Sequence, residues 1–148
     1  MAIYKPPASR WRTALAAAAA GLVAGFGAGA LLTGGGADPV ATLREVRREL
    51  SGAASVLEVL VVEYRESVRG GEVRSRTEYQ GSIEALERSR ERFAGVRAAV
   101  RAIDPRAARQ ADERYAELDR LIARRADPSE VARRAEELAE LLAGIVGG

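Results

Sequence analysis

The residues Leu43, Val46, Leu50, Ala53, Leu57, Leu60 and Tyr64 follow one another at intervals of three and four without interruption. A strand would need a period of two, and only a helix gathers this spacing onto one stripe. The alternation is that of a coiled-coil seam, so the helix has to bury it against other helices. Comparable stripes recur in Tyr79, Ile83, Leu86, Phe93, Val96, Val100 and Ile103, in Ala111, Tyr115, Leu118 and Ile122, and in Val131, Leu138, Leu142 and Ile145. The breaks between them are equally specific. Asp38-Pro39, Asp104-Pro105 and Asp127-Pro128 each set an N-cap carboxylate before a proline at the first helical position, where the missing N–H costs nothing. A fourth start follows Gly70-Gly71, where Ser75-x-x-Glu78 and Thr77-x-x-Gln80 form overlapping capping boxes. Helices are predicted over 39–69, 76–103, 105–126 and 128–146, the first two about 40–45 Å long. With such short connections, residues 39–148 are expected to form an all-α, antiparallel up-down-up-down four-helix bundle. Its Arg/Glu surfaces are expected to be solvated faces with i,i+4 pairs, such as Glu113 and Glu117 against Arg109, Arg120 and Arg124.

Charge and composition narrow the chemistry. Of the 23 basic residues, Lys5, Arg10 and Arg12 precede Asp38, which leaves 20 arginines against 21 Asp and Glu in residues 38–148. No basic face follows from that balance, and the few aromatics are not interleaved with arginine, so nucleic acid is not an expected partner. The chain has no Cys and no His. Disulfides, thiolate metal sites and imidazole catalysis are therefore excluded, and only oxygen ligands remain for a metal. No nucleophile–base pair, phosphate loop or metal triad is visible, so an enzyme is not expected.

Before the bundle, Thr13 to Leu32 carries no charge. About 20 such residues suffice to cross the hydrocarbon core as a helix, and a single N-terminal transmembrane anchor over 13–33 is expected. Lys5, Arg10 and Arg12 lie before it and no basic residue follows until Arg44, which puts residues 1–12 in the cytoplasm and the bundle outside it. The alternative is a cleaved signal peptide, with small residues at Ala28/Ala30 or Gly35/Ala37, although such apolar regions usually run only about 7–15 residues. Gly21, Gly25 and Gly29, extended by Ala17, line one face of the segment and would let another helix approach closely, in self-association or against a membrane protein partner. An Ala/Gly-rich segment also produces that spacing by accident. Residues 34–38 are a Gly-rich linker.

The two Glu-Tyr pairs, Glu63-Tyr64 and Glu78-Tyr79, flank the Gly70-Gly71 break. In a hairpin turning there, both rings fall at similar heights on neighbouring seams, and Glu66 lies one turn from Glu63. Such carboxylates and phenols are a candidate hard-oxygen site for Fe³⁺, Ca²⁺ or Mn²⁺. The competing reading is structural: the tyrosines fill the polar end of a seam, and Arg65, Arg69 and Arg74 neutralise the acids. Spacing does not decide between them. Acidic pairs at i,i+3 number four (Glu63/Glu66, Glu84/Glu87, Asp127/Glu130 and Glu137/Glu140), and random placement also gives about 4.

The run EYRESVRGGEVRSRTEYQ and the closing ARRADPSEVARRAEELAELL resemble the helical extracytoplasmic region associated with bacterial high-affinity iron permeases. The pattern is matched by Glu63-Tyr64, Ser67-Val68, Gly71-x-Val73 and Glu78-Tyr79, and the resemblance covers roughly 57–142. Gln80 and Gly81 stand where such regions often carry another acid. The permease itself has several spanning helices with R-E-G-x-E motifs, and this chain has one candidate span without charge. What the resemblance implies is a tethered extracytoplasmic accessory module of an iron uptake system, with iron as the cation near Glu63, Tyr64, Glu66, Glu78 and Tyr79 and an iron permease as partner. A structural or interaction subunit of a membrane complex, binding no ligand, is the alternative. A sensor is disfavoured by the twelve residues available for a cytoplasmic output.

Overall fold

A computed structural model describes residues 39–145, with side chains from Thr42 onward. The candidate anchor 13–33, its face of Ala17, Gly21, Gly25 and Gly29, and the linker 34–38 lie outside the described residues. Among the described residues, no helix is long and apolar enough to cross a membrane.

Four helices form: α1 Pro39–Ser67, α2 Arg76–Ile103, α3 Pro105–Ala123 and α4 Pro128–Gly144. α1 packs against α2 and α4, and α3 packs against both. The cross-helix contacts fix the directions. Ser89 reaches Ala53, Arg97 reaches Asp112 and Arg114 reaches Glu137, so each helix runs antiparallel to the next, as expected.

The seam of α1 is buried from Val46 through Leu50, Ala53, Leu57 and Leu60 to Tyr64. Phe93, Val100, Leu118, Val131, Leu138 and Leu142 meet it from the other helices. Two expected seam positions are not in the core. Leu43 and Ile103 are each 49% exposed, because both lie at the open end of the bundle, beyond the last packed layer. Tyr79, Ile83 and Ile145 are only partly buried.

Three helix ends differ from expectation: α4 stops at Gly144 rather than 146, and the other two differ for local reasons. α1 stops at Ser67, two residues early, because Val68–Arg69 (β1) pairs antiparallel with Glu72–Val73 (β2). The two-residue turn between them has Gly70 at φ 59° and Gly71 at φ 78°. Positive φ at both central positions gives the primed turn whose twist suits a tight hairpin, and glycine reaches it without a Cβ clash. α3 stops at Ala123 rather than 126. Arg125 is left-handed at φ 55°, Ala126 N–H donates to Leu121 O at 2.9 Å and Arg125 N–H to Ile122 O at 3.0 Å. That is a Schellman closure with arginine in the place glycine usually takes, and the buried Leu121 and Ala126 supply its apolar contact.

At the α2–α3 corner one residue does two things. Asp104 N–H closes α2 on Val100 O at 2.7 Å, and its carboxylate accepts the Arg106 and Ala107 N–H groups of α3, both at 2.9 Å. Asp104→Ala is expected to cost about 0.5–2 kcal/mol in urea unfolding. An unchanged midpoint would mean that Pro105 and burial of Ala107 and Ala108 hold the corner without the cap.

Candidate functional site

The Glu-Tyr pairs meet at the hairpin end. Tyr64 is fully buried, and its ring centroid lies 6.3 Å from that of Tyr79, tilted by 43°. The rings therefore face each other across the α1–α2 seam. Their hydroxyls point past the seam into the opposite corner: Tyr64 Oη donates to Ala126 O and Tyr79 Oη to Ile122 O, both at 2.8 Å. Both acceptors belong to the Schellman turn. The two phenols thus brace the α3–α4 corner from the other half of the bundle.

A serine follows each tyrosine by three residues, which makes Glu-Tyr-x-x-Ser a repeated unit at 63–67 and 78–82. Ser67 Oγ donates to Tyr64 O at 3.0 Å and Ser82 Oγ to Tyr79 O at 2.7 Å, and both serines are buried. Sequence reasoning overlooked these serines. The shared spacing after two Glu-Tyr pairs was the available signal.

The carboxylates are less gathered than the rings. Glu63 packs its carboxylate against Gly81, where an added Cβ would lie 3.0 Å from Oε2. Gly81, standing where an acid is common in the resembled regions, is what gives Glu63 this room. Glu78 lies one turn before Gly81 on α2, and its Oε2 is buried with no hydrogen-bond partner. Glu66 is exposed. Arg74 pairs with Glu72 at 3.0 Å rather than with Glu63 or Glu66. Among the described residues, no three or more acidic side chains are placed to hold a metal ion together. The arrangement instead offers a pair of carboxylates, Glu63 and Glu78, beside phenols already committed to backbone carbonyls.

Burial raises the Tyr64 phenol to about 12, with the neighbouring Tyr79 adding to the shift and Arg124 opposing it. A phenolate ligand at this position would first have to break the bond to Ala126 and give up that proton. Of the other i,i+3 acids, Glu137 is held below the usual carboxylate range by hydrogen bonds from Arg134 and Arg114, and Glu130 pairs with Arg124 at 2.9 Å. Neither is available as a ligand.

The family profile of the iron permease-associated 4-helix bundle domain matches residues 39–147. The chain belongs to this family. The matched range runs from the first residue of α1 past the end of α4, so the family unit is the whole bundle rather than the hairpin alone. No curated protein and no solved structure matches the chain. Membership connects the bundle to iron permeases, and it sets the Glu-Tyr hairpin within a domain whose relatives are named for that association.

Proposed function

We propose that this protein is a membrane-tethered, extracytoplasmic accessory module of an iron uptake system, whose bundle docks on the transporter. The observation that carries this reading is the family match over the entire bundle. Both hairpin tyrosines are committed to bracing the α3–α4 corner, which favours a rigid docking body over a resident metal centre. The uncharged segment 13–32, with basic residues only on its N-terminal side, supports an anchor with the bundle outside the cytoplasm.

A second reading has its own support. The unpartnered Glu78 Oε2, one turn from the Gly81 against which Glu63 packs its carboxylate, leaves two hard oxygen donors on this hairpin for a cation in passage, with iron as cargo rather than cofactor. One set of experiments separates the two. In cells lacking the chain, radioiron uptake is expected to fall, and the reintroduced full-length chain should cross-link to an iron permease. Glu63→Gln with Glu78→Gln should leave cross-linking intact. If the pair also handles the ion, the double variant should lower uptake and weaken ferric binding at micromolar concentration, about −8 kcal/mol. Unchanged uptake without the chain, together with no permease cross-link, would remove the accessory reading.

A further inference from the structure

The end of the bundle opposite the Glu-Tyr hairpin combines exposed aliphatic side chains with exposed arginines, three of which make no ion pair among the described residues. Contacts such as Arg92 with Glu49 and Ser89 with Ala53 set α1 and α2 in an antiparallel register. In that register the first turns of α1, the last turn of α2 and the first turn of α3 share one end. Leu43 and Ile103, each 49% exposed, stand there, and Arg44, Arg101 and Arg106 around them are exposed. None of these three arginines has a carboxylate partner among the described residues. Along the α2–α3 and α3–α4 flanks, by contrast, Arg90, Arg97, Arg114 and Arg134 are all paired with acids.

The acids at this end do not cancel the charge. Glu45 lies 3.6 Å from Arg48, and Asp104, which keeps its charge while it caps α3, is one negative charge against Arg44, Arg101 and Arg106. The hairpin end, by comparison, carries the four acids Glu63, Glu66, Glu72 and Glu78 among its arginines, with Val62, 56% exposed, beside Glu63.

We infer that this end, through Leu43, Ile103, Arg44, Arg101 and Arg106, rests on an anionic lipid surface. Arginine can lay its alkyl stem along an apolar boundary while its guanidinium stays at headgroup level, and Leu43 and Ile103 are the side chains that would enter that boundary. Each cation near an anionic leaflet contributes about fivefold to partitioning, so the three together account for about a hundredfold. This inference rests on the anchored reading above, although the lipid contact can be measured apart from the anchor.

The chain has no cysteine, so a single introduced thiol can carry an environment-sensitive fluorophore. The full-length chain, labelled at Ile103→Cys or at Glu72→Cys as the opposite-end control, is reconstituted in phosphatidylcholine vesicles or in equal parts phosphatidylcholine and phosphatidylglycerol. The 103 label is expected to shift to the blue and become shielded from iodide only in the anionic vesicles. The 72 label should remain exposed in both. Changing Arg44, Arg101 and Arg106 together to Glu should restore iodide access at 103 while circular dichroism stays unchanged, since among the described residues these exposed side chains make no ion pair whose loss would unfold the bundle. Equal exposure of the 103 label in both lipids, or shielding that survives the charge reversal, overturns the inference. Carbonate extraction reports on the anchor separately. A chain that is extracted but still floats with anionic vesicles removes the anchor and keeps the contact; one that resists extraction with an exposed 103 label does the reverse.

Discussion

Tyr64→Ala is expected to destabilise the bundle by about 3–5 kcal/mol, the usual cost of deleting a large buried aromatic side chain. That is a large part of the about 5–15 kcal/mol that holds a domain of this kind folded. Tyr64→Phe isolates the hydroxyl. It keeps the ring against Tyr79 but leaves the Ala126 carbonyl without its donor, at about 1–3 kcal/mol, the penalty for an unsatisfied buried acceptor. Tyr79→Phe should cost less, about 1 kcal/mol, because Tyr79 is only partly buried and Ile122 O retains the Arg125 N–H. Urea unfolding followed by circular dichroism ranks the three variants. A Tyr64→Phe cost below about 0.5 kcal/mol would fall in the range of ordinary surface substitutions and would show that the brace is not structural.

Alkaline pH should produce the second large effect. Burial raises both the Tyr64 and the Tyr115 phenols to about 12, with hydrogen bonding from Ser89 and the charge of Arg90 opposing the rise at Tyr115. In the unfolded chain a tyrosine titrates near 10. Below that pH both phenols are neutral in both states, and their contribution to stability is fully present. As pH rises from about 10 to about 12, the unfolded chain releases protons that the folded chain retains, so stability falls. The loss approaches about 2–3 kcal/mol for each tyrosine. Tyrosinate absorbance for these two groups should therefore appear together with the loss of helicity, and Tyr64→Phe should roughly halve the slope. Titration of both phenols near 10 in a chain that remains helical would contradict the buried, hydrogen-bonded state of the rings.

The Tyr115 side of the core matters to that result. Its hydroxyl shares a 2.8 Å hydrogen bond with Ser89, whose Oγ lies 2.9 Å from Ala53 O, and its ring sits 5.7 Å from Phe93 and beneath Arg90. The polar link joins α1, α2 and α3 in the middle of the bundle, well away from the Tyr64 brace. The two tyrosines should thus titrate as separate sites within one unfolding transition.

Sequence alone determined the four helices, their starts and their antiparallel order, because these depend on local signals. The Asp104 and Asp127 caps act through backbone N–H groups a few residues away, whereas Ser75 takes the N-cap position of α2 without the side-chain bond of the expected capping box and Asp38 lies outside the described residues. The three-four periodicity names the buried stripe without knowledge of what covers it. The facing of Tyr64 and Tyr79 was legible for the same reason, since the hairpin break sets their common height. Partners far along the chain were decided only by the tertiary structure. No local pattern states that Tyr64 reaches Ala126, or that Tyr79 reaches Ile122, 62 and 43 residues away. The charged faces behave likewise: Glu117 pairs with Arg134 and Arg124 with Glu130, across helices rather than along the helical pairs expected from spacing. The early ends of α1 and α3 came from a β-turn and a left-handed Arg125, where hydrogen-bond closure overrode helix propensity. Leu43 and Ile103 kept the seam's spacing yet stay half exposed, because burial depends on whether a neighbouring helix extends far enough to cover a position, and among the described residues none does at this end.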